Sequence, residues 1–274
     1  MHSHGEDPVA VSADALQVYD GLSTLTGAPT AAERASLEHR LVGFVPLTES
    51  FSVGAYAPLA HREIDQALAA GRRPIVVGGT GLYLRAALTD LSLPPAPPPA
   101  LRARLEERVR SEGAPALHAE LADRAPAAAG RIDPADTTRV VRTLELVEMG
   151  EEPPGARGAE ELWTAETRHP TLLCALVRER EDLYARIDAR VDAMAAAGAI
   201  EEVRRAEAAG ASRTARAALG FEELLAGDVE GMKRRTRNYA KRQLTWLRKL
   251  PNVRLVELSG RDPGDAAAEI ESAV

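Results

Sequence analysis

Runs of apolar residues, separated by polar turns and glycines, predict strands and helices along this chain. PVAVSAD (8–14) is a short β-branched run that ends in a polar turn. RRPIVVGGTGLYLRAAL (72–88) is typical of a buried strand, a glycine turn and a helix. TLLCALV (171–177) and NVRLVEL (252–258) predict two more strands. Strand–loop–helix units of this kind indicate an α/β fold with a parallel sheet.

A break in this pattern marks an insertion. The proline-rich segment SLPPAPPP (92–99) is followed by helical periodicity to about residue 150, with Gly113 and Gly150 as stops. EEPPGARGAEE (151–161) then predicts a polar loop. We therefore expect an α/β core at 1–93 and 162–274 and a helical insertion at 94–161.

The last third of the chain is rich in helical patterns. DLYARIDARVDAMAAAG (182–198) is amphipathic, with Asp182 as the expected cap and Gly198 as the stop. Stretches 200–209 and 217–226 predict two further helices ahead of a strongly basic one.

That basic segment, GMKRRTRNYAKRQLTWLRKL (231–250), holds eight Lys and Arg residues and no Asp or Glu. On a helix, Arg234, Arg237, Lys241 and Arg248 share one face. The opposite face collects Met232, Tyr239, Trp246, Leu247 and Leu250. On a chain of net charge −7, the basic stripe favours a polyanionic partner, most simply nucleic acid, over a solvated helical face.

Composition narrows the class of protein. With 274 residues, 45% hydrophobic and 27% charged, the chain has the make-up of a soluble globular protein. The single Cys174 lies in an apolar run and suits a reducing cytoplasm. We find no secretory h-region and no apolar run of about 18 residues, so we expect no membrane span. His2 and His4 could bind a metal, although a frayed terminus is the simpler interpretation.

Asp14 is the first candidate for chemistry. It follows a short apolar strand, so it would lie at the strand's carboxyl end, where ligands bind in open α/β sheets. A carboxylate there could act as a general base. Capping of the next helix explains the same position equally well.

The glycine turn VVGGTGLY (76–83) is the second candidate. Gly78, Gly79 and Gly81 would leave backbone N–H groups open to an anion, and the following helix adds its positive end. Thr80 could donate a hydroxyl hydrogen bond to the same anion. A tight turn also needs glycine, so the motif by itself leaves both explanations open.

RIDPADTTRVVRTLE (131–145) is a possible second contact for the anion, because Arg139 and Arg142 lie three residues apart on one helical face. The plainer explanation is surface arginines paired with Asp136 and Glu145. No G-x-x-x-x-G-K-[ST] motif occurs, and residues 1–232 hold no lysine, which disfavours a simple nucleotide-dependent kinase.

These segments, in this order, resemble the bacterial tRNA dimethylallyltransferase (tRNA isopentenyltransferase) family. The resemblance runs from about residue 9 to 258. It is carried by VSADALQVYDGL, HRLVGFVP, FSVGAYAPLAHREI, GRRPIVVGGTGLYLRA, RIDPADTTRVVRTLE, ALGFEEL and RRTRNYAKRQLTWLRK.

The resemblance implies transfer of a dimethylallyl group from dimethylallyl diphosphate to N6 of adenosine 37 in tRNA, with Mg²⁺ through ligands that remain unassigned. Asp14 would be the general base. Thr80 would stabilise the diphosphate leaving group, within the turn that includes Gly78, Gly79 and Gly81. The helical insertion would grip the anticodon stem-loop, and a monomer is the default expectation. The expected tRNA contacts are Asp14, Ala15, Leu16, Gln17, Arg102, Thr138, Arg139, Val140, Val141 and Arg142, to which the basic face adds Arg234, Arg237 and Lys241.

The fold implied is a P-loop-kinase-like parallel sheet, but without its first strand and phosphate loop. Family members usually carry a segment close to GPTASGKS before the VSAD motif, and this sequence opens with MHSHGED. Two smaller departures are Ala15, where the family often has Ser, and Ala217, which removes a possible diphosphate contact.

Three functional alternatives stay open beside the transferase. One is a truncated relative that binds tRNA but catalyses the transfer weakly. In-frame upstream codons that encode a G-K-[ST] loop would argue against this alternative. Another is a transferase acting on free adenine nucleotides, which would need neither the insertion nor the basic helix. The last is a P-loop kinase relative, disfavoured by the missing lysine.

Overall fold

A computed structural model describes residues 7–153 and 161–274 of the chain. They form two compact units. The larger unit runs up to Asp90 and resumes at Ala165, and the smaller unit is Leu91–Thr164. Each expected boundary, at 93/94 and 161/162, lies three residues from the observed one. His2, His4 and most of the loop expected at 151–161 fall outside the described residues.

The larger unit opens with a three-stranded parallel sheet. Its central strand is β1, with β2 on one edge and β3 on the other. Every residue of β1 is buried, because a central parallel strand is covered on both faces. The elements in this part of the chain are β1 (Pro8–Ser12), α1 (Ser23–Thr26), α2 (Ala31–Ser36), β2 (Glu38–Arg40), α3 (Val53–Ala69), β3 (Arg73–Val77) and α4 (Gly81–Leu88).

The smaller unit is helical. Its core packs Leu105, Leu117, Leu121, Val140 and Leu144 together from three helices. Gly113 ends the first of these helices, as predicted. The elements are α5 (Pro99–Glu112), α6 (Ala114–Arg124), α7 (Pro126–Ala129), α8 (Thr137–Glu148) and a 3-10 turn at Glu161–Trp163.

After the smaller unit the chain returns to the larger one with a second parallel sheet, in which β4 pairs with β5. Helices fill the rest of this part of the chain. The elements are β4 (Leu173–Val177), α9 (Arg180–Ala196), α10 (Ala199–Ala208), α11 (Arg213–Arg216), α12 (Phe221–Leu225), α13 (Val229–Leu247), β5 (Val253–Glu257) and α14 (Pro263–Glu271).

The strands and helices predicted from the sequence are confirmed, with two local corrections. The helix expected at 217–226 is confined to Phe221–Leu225. Asp182 does not cap α9. The helix begins after Glu179, without a side-chain cap, and Asp182 instead accepts a hydrogen bond from Arg178 at 2.7 Å.

A cavity of about 1050 Å³ lies between the two sheets of the larger unit. Every residue of β3 and β4 lines it, whereas none of the described residues of β1 or β5 does. The cavity therefore meets the free edges of β3 and β4, and helices α3, α4 and α13 supply other parts of its wall. The described strands form two parallel sheets, each with an open edge on this cavity.

The main core of the larger unit joins the segment after β1 to the C-terminal helices. Val18 and Leu22 pack there with Val203 of α10 and Phe221 of α12. At its rim the carboxylate of Glu202, whose residue is only 6% exposed, accepts hydrogen bonds from the N–H groups of α1. These bonds satisfy a buried charge and the start of a helix at once. The segment that carries Asp14 is thereby anchored at its far end.

No helix in the described ranges is both long and apolar enough to span a bilayer.

Candidate active site

Asp14 lies just beyond the carboxyl end of β1, half-buried, at the start of a tight turn. Its Oδ1 accepts hydrogen bonds from the N–H groups of Leu16 at 2.8 Å and Gln17 at 3.3 Å. Asp14 therefore caps its own turn and not the next helix, since α1 begins at Ser23 without a side-chain cap. The general-base role stays a prediction, because the two are compatible.

Gln17 fixes the shape of this turn. Its side-chain oxygen accepts from Ser12 Oγ at 3.1 Å, and its side-chain nitrogen donates to the Gly27 carbonyl at 3.2 Å. With both ends of its amide occupied inside the protein, Gln17 serves as a brace behind Asp14. Its predicted contact with tRNA stays a prediction.

Two buried tyrosines stand close to Asp14. Tyr56 donates to the Ser12 carbonyl at 2.9 Å, and its ring lies 4.6 Å from that of Tyr83. Burial raises the pKa of Tyr56 and of Tyr83, and the Asp14 carboxylate contributes to both shifts. Both phenols therefore stay neutral beside a carboxylate. Sequence reasoning missed these residues, because isolated tyrosines in helical patterns look like ordinary core.

The glycine turn 78–81 follows β3 and is packed without space for side chains. A Cβ atom on Gly78 would lie 2.2 Å from the Ala13 carbonyl oxygen, and one on Gly81 would lie 2.2 Å from the Trp246 ring. Close approach of the backbone, rather than a positive φ, is what requires glycine at these positions. The structure explains these glycines by packing alone, so their predicted contact with a diphosphate stays a prediction.

Thr80 precedes α4 without capping it through its side chain. Its Oγ1 instead accepts from the Ala15 N–H at 3.4 Å. Because β1 and β3 are adjacent parallel strands, the turns that follow them meet at one sheet edge. Asp14, Ala15, Thr80 and the glycine turn are thereby brought together at that edge.

Helix α13 closes the other side of the glycine turn. Tyr239 Oη and Gln243 Nε2 both donate to the Gly79 carbonyl, at 3.0 and 2.9 Å. Burial raises the pKa of Tyr239, and a hydrogen bond with Thr80 partly offsets this shift. The sequence places Tyr239 on the apolar side of this helix. It does not single out Gln243, which lies on the same side but is polar.

The basic face of α13 has no acid within its own segment, but the fold pairs it with acids from outside that segment. Arg237 contacts both carboxylate oxygens of Asp188 in α9, at 2.5 and 2.7 Å. Lys233 contacts Asp192 at 2.8 Å. Arg234 lies 3.4 Å from Asp228 and is mostly exposed. Much of the positive charge is thus neutralised in the folded protein.

Lys241 differs from these residues. Its side chain is exposed, and its ammonium lies 6.0 Å from the centre of the Tyr184 ring. Within the described residues, no ion pair joins Lys241 to a carboxylate. Of the three predicted RNA-binding cations on this helix, Lys241 is the one that remains most available to a phosphate.

In the smaller unit, Arg102 and Arg142 share one buried acid. Arg102 forms a two-bond contact with Glu145, at 2.7 and 2.8 Å, and Arg142 reaches the same carboxylate at 3.2 Å. Glu145 is fully buried. The predicted RNA contacts of both arginines compete with this internal pairing.

The other residues of α8 that are predicted to contact tRNA differ in their exposure to solvent. Thr138 is exposed, and Arg139, with 71% of its side chain exposed, lies 3.4 Å from Asp136. Val140 and Val141 lie in the helical core. The apolar face of α8 is turned inward, so these two side chains point away from solvent, and their predicted contact with tRNA stays a prediction.

Comparison with known proteins gives a consistent result. A family model described as IPP transferase matches residues 17–250. A protein named tRNA dimethylallyltransferase from Rhodospirillum centenum is 45% identical, with 93% of this chain and 83% of that protein covered. A protein of the same name from Kineococcus radiotolerans is 40% identical, with 97% and 86% covered.

Solved structures agree. The tRNA isopentenylpyrophosphate transferase of Bacillus halodurans superposes with a TM-score of 0.69 at 31% identity, covering 99% of this chain and 88% of that one. A eukaryotic dimethylallyltransferase described as acting on tRNA has a TM-score of 0.73 at 23% identity, covering 99% and 72%, which supports the fold alone.

Proposed function

This chain belongs to the IPP transferase family, and we propose that it transfers a dimethylallyl group from dimethylallyl diphosphate to N6 of adenosine 37 in tRNA. The observation that carries the proposal is the meeting of the Asp14 turn and the glycine turn at one sheet edge, linked by the 3.4 Å contact from Ala15 N to Thr80 Oγ1. A general base and an anion-binding turn at such an edge are what this reaction requires.

In the proposed reaction, the N6 nitrogen attacks the first carbon of the dimethylallyl group. A carbon–nitrogen bond forms, and the carbon–oxygen bond to the diphosphate breaks. Asp14 takes the proton from N6, and the diphosphate leaves with the electron pair of the broken bond. Hydrogen-bond donors aimed at that leaving charge are each worth about 10²–10³ in rate, which gives Thr80 its proposed role.

The adenine would enter between the two turns, as a base displaced from the anticodon loop. Unstacking is cheaper in a loop than in a duplex. The helical unit 91–164, through Arg139 and Thr138, and the exposed Lys241 of α13 are the proposed contacts with the RNA backbone.

We also propose Mg²⁺ as the ion that accompanies the diphosphate. Within the described residues, no group of three His, Cys, Asp or Glu residues could enclose a metal ion. Mg²⁺ commonly keeps several waters and binds through substrate phosphates and one or two carboxylates, so it needs no such cage. When bound, the ion would neutralise part of the diphosphate charge.

A transfer assay tests the function directly. The purified chain would be incubated with dimethylallyl diphosphate, Mg²⁺ and an anticodon stem-loop carrying adenosines at positions 36–38, and the RNA mass followed. We expect the gain of one dimethylallyl group. A stem-loop with purine nucleoside at position 37, which lacks the N6 amine, is the matched control and should gain none. RNA binding without any mass gain on the adenosine substrate would contradict the proposal and favour a binding-only relative.

A further inference from the structure

The peptide between Gly79 and Thr80 is held from outside the turn. Its carbonyl oxygen accepts two hydrogen bonds from α13, one from Tyr239 Oη and one from Gln243 Nε2, at 3.0 and 2.9 Å. A Cβ atom on Gly79 would lie 2.2 Å from Gln243 Nε2, so the helix side chain sits directly against the backbone.

The direction of the Gly79 carbonyl also fixes the direction of the Thr80 N–H, because both belong to one planar peptide. The described bonds are all trans, so the carbonyl and the N–H of one peptide point in opposite directions. With the Gly79 carbonyl fixed on α13, the Thr80 N–H points away from that helix. If this peptide were inverted, the carbonyl oxygen of Gly79, with its partial negative charge, would take the place of the N–H on the side away from α13.

Rotation of this peptide changes ψ of Gly79 and φ of Thr80. Gly79 carries no Cβ, so its ψ is less restricted than that of other residues, whereas Thr80, with a φ of −94°, opposes full inversion. The two hydrogen bonds from α13 fix the freedom that remains on the Gly79 side and so hold one orientation of the N–H group.

We infer that Tyr239 and Gln243 are positioning residues, which lock the Gly79–Thr80 peptide so that its N–H faces the diphosphate. This inference rests on the proposed function, because the diphosphate is the anion that the turn would hold. Neither side chain touches the substrate in this scheme. Both act through the Gly79 carbonyl, and Tyr239 also shares a hydrogen bond with Thr80.

The two donors are well suited to the task. Burial raises the pKa of Tyr239, so its hydroxyl keeps its proton across the working pH range. The side-chain amide of Gln243 cannot lose its donor by titration. Two donors to one acceptor also provide redundancy: either bond alone would hold the orientation.

The test is a double-mutant cycle with Tyr239→Phe and Gln243→Met, each of which removes a donor while keeping most of the side-chain volume. Inorganic pyrophosphate is the probe, measured by calorimetry with Mg²⁺ present, alongside the KM for dimethylallyl diphosphate. We expect each single variant to bind pyrophosphate within about threefold of wild type, because one hydrogen bond remains. The double variant should bind at least about tenfold more weakly, with a matching rise in KM.

Tyr184→Phe is the matched control. It removes a tyrosine hydroxyl in α9 that has no hydrogen-bond partner in the described part of the chain, and it should leave pyrophosphate binding unchanged. RNA affinity should be preserved in all four variants. A loss of RNA affinity in step with pyrophosphate affinity would show a general structural role and overturn the inference.

Two further outcomes would also overturn it. One is a double variant that binds pyrophosphate as wild type does, and the other is a wild-type chain that does not bind pyrophosphate. The proposed function is judged separately by the RNA mass gain of the wild-type chain. If the wild type transfers the group and the double variant binds pyrophosphate as tightly as wild type does, the positioning role is wrong and the proposed function still stands.

Discussion

Asp14 carries two possible roles on one side chain, a cap for its own turn and a base for the reaction. The cap uses Oδ1 as an acceptor for Leu16 and Gln17. The base needs a carboxylate that can take a proton. These requirements differ chemically, so a single substitution can separate them.

We predict that Asp14→Asn abolishes most of the transfer while leaving the fold intact. The amide oxygen of asparagine can still accept from the two N–H groups, but the side chain can no longer act as a base. The transfer rate should fall by about 10²–10⁴. Melting temperature and RNA affinity should stay close to wild type.

Asp14→Ala is the companion variant, because it removes the cap as well. It should lose both transfer and some stability, as caps are typically worth about 0.5–2 kcal/mol. Transfer by Asp14→Asn at a rate near that of wild type would leave Asp14 with the capping role only.

Helix α13 shows why an element cannot be interpreted from its own residues alone. Its basic face has no acid within the predicted segment, but the fold brings Asp188 and Asp192 from α9 against it. Its other face holds the glycine turn. One helix thus links the C-terminal part of the larger unit to the candidate site.

The pairing on α13 predicts unequal contributions to RNA binding. Lys241→Ala should flatten the plot of log affinity against log salt by about 0.7–0.9, the value of one phosphate contact. Arg237→Ala should change this slope less, because its guanidinium already contacts Asp188 at 2.5 Å. Filter binding of the stem-loop over a salt series would measure both. Equal slope changes would mean that Arg237 leaves Asp188 when RNA binds.

Helix α8 provides a second element-scale prediction, on stability. Glu145 is fully buried and accepts from Arg102 and Arg142. Glu145→Gln would leave charged donors facing a neutral amide, and we expect a loss of about 1.5–3 kcal/mol in the free energy of unfolding. Urea titration would measure it.

Glu107→Gln on α5 is the control for this exchange. Its partner Arg110 and Glu107 itself are both largely exposed, so the same substitution should have no measurable effect on stability. Equal effects of the two substitutions would mean that burial of Glu145 does not strengthen its contacts.

Across the whole molecule, the sequence predicts what depends on local pattern. The strands at β1, β3, β4 and β5 follow from short apolar runs, and the two-unit division follows from the proline-rich break at 92–99. The neutralised basic face joins residues 49 positions apart, Asp188 and Arg237, and no local pattern reports such a pair. The packing reason for the glycines likewise depends on Ala13 and Trp246, which are distant in sequence.

The same contrast applies to the candidate site. Asp14 and Thr80 could be found because each follows a strand, and parallel strands end at one edge. Tyr56 and Gln243 could not, because their roles lie in hydrogen bonds to backbone carbonyls of other segments. Residues that act through the backbone leave little signature in a single sequence.

The compactness of the helical unit supports a last prediction, that residues 91–164 fold when expressed alone. The unit has its own core, in which Leu105, Leu117 and Leu144 are fully buried, and Glu145 satisfies its arginines within the same unit. A segment of this size is near the lower limit for an independent core, so we expect a helical circular dichroism spectrum with a cooperative but low-temperature melt. Leu144→Ala should lower that melt sharply, since such core truncations cost about 2–5 kcal/mol. A non-cooperative melt in the unsubstituted segment would show that this core depends on the rest of the chain. RNA titration onto the folded segment would then separate its own share of the affinity from that of α13.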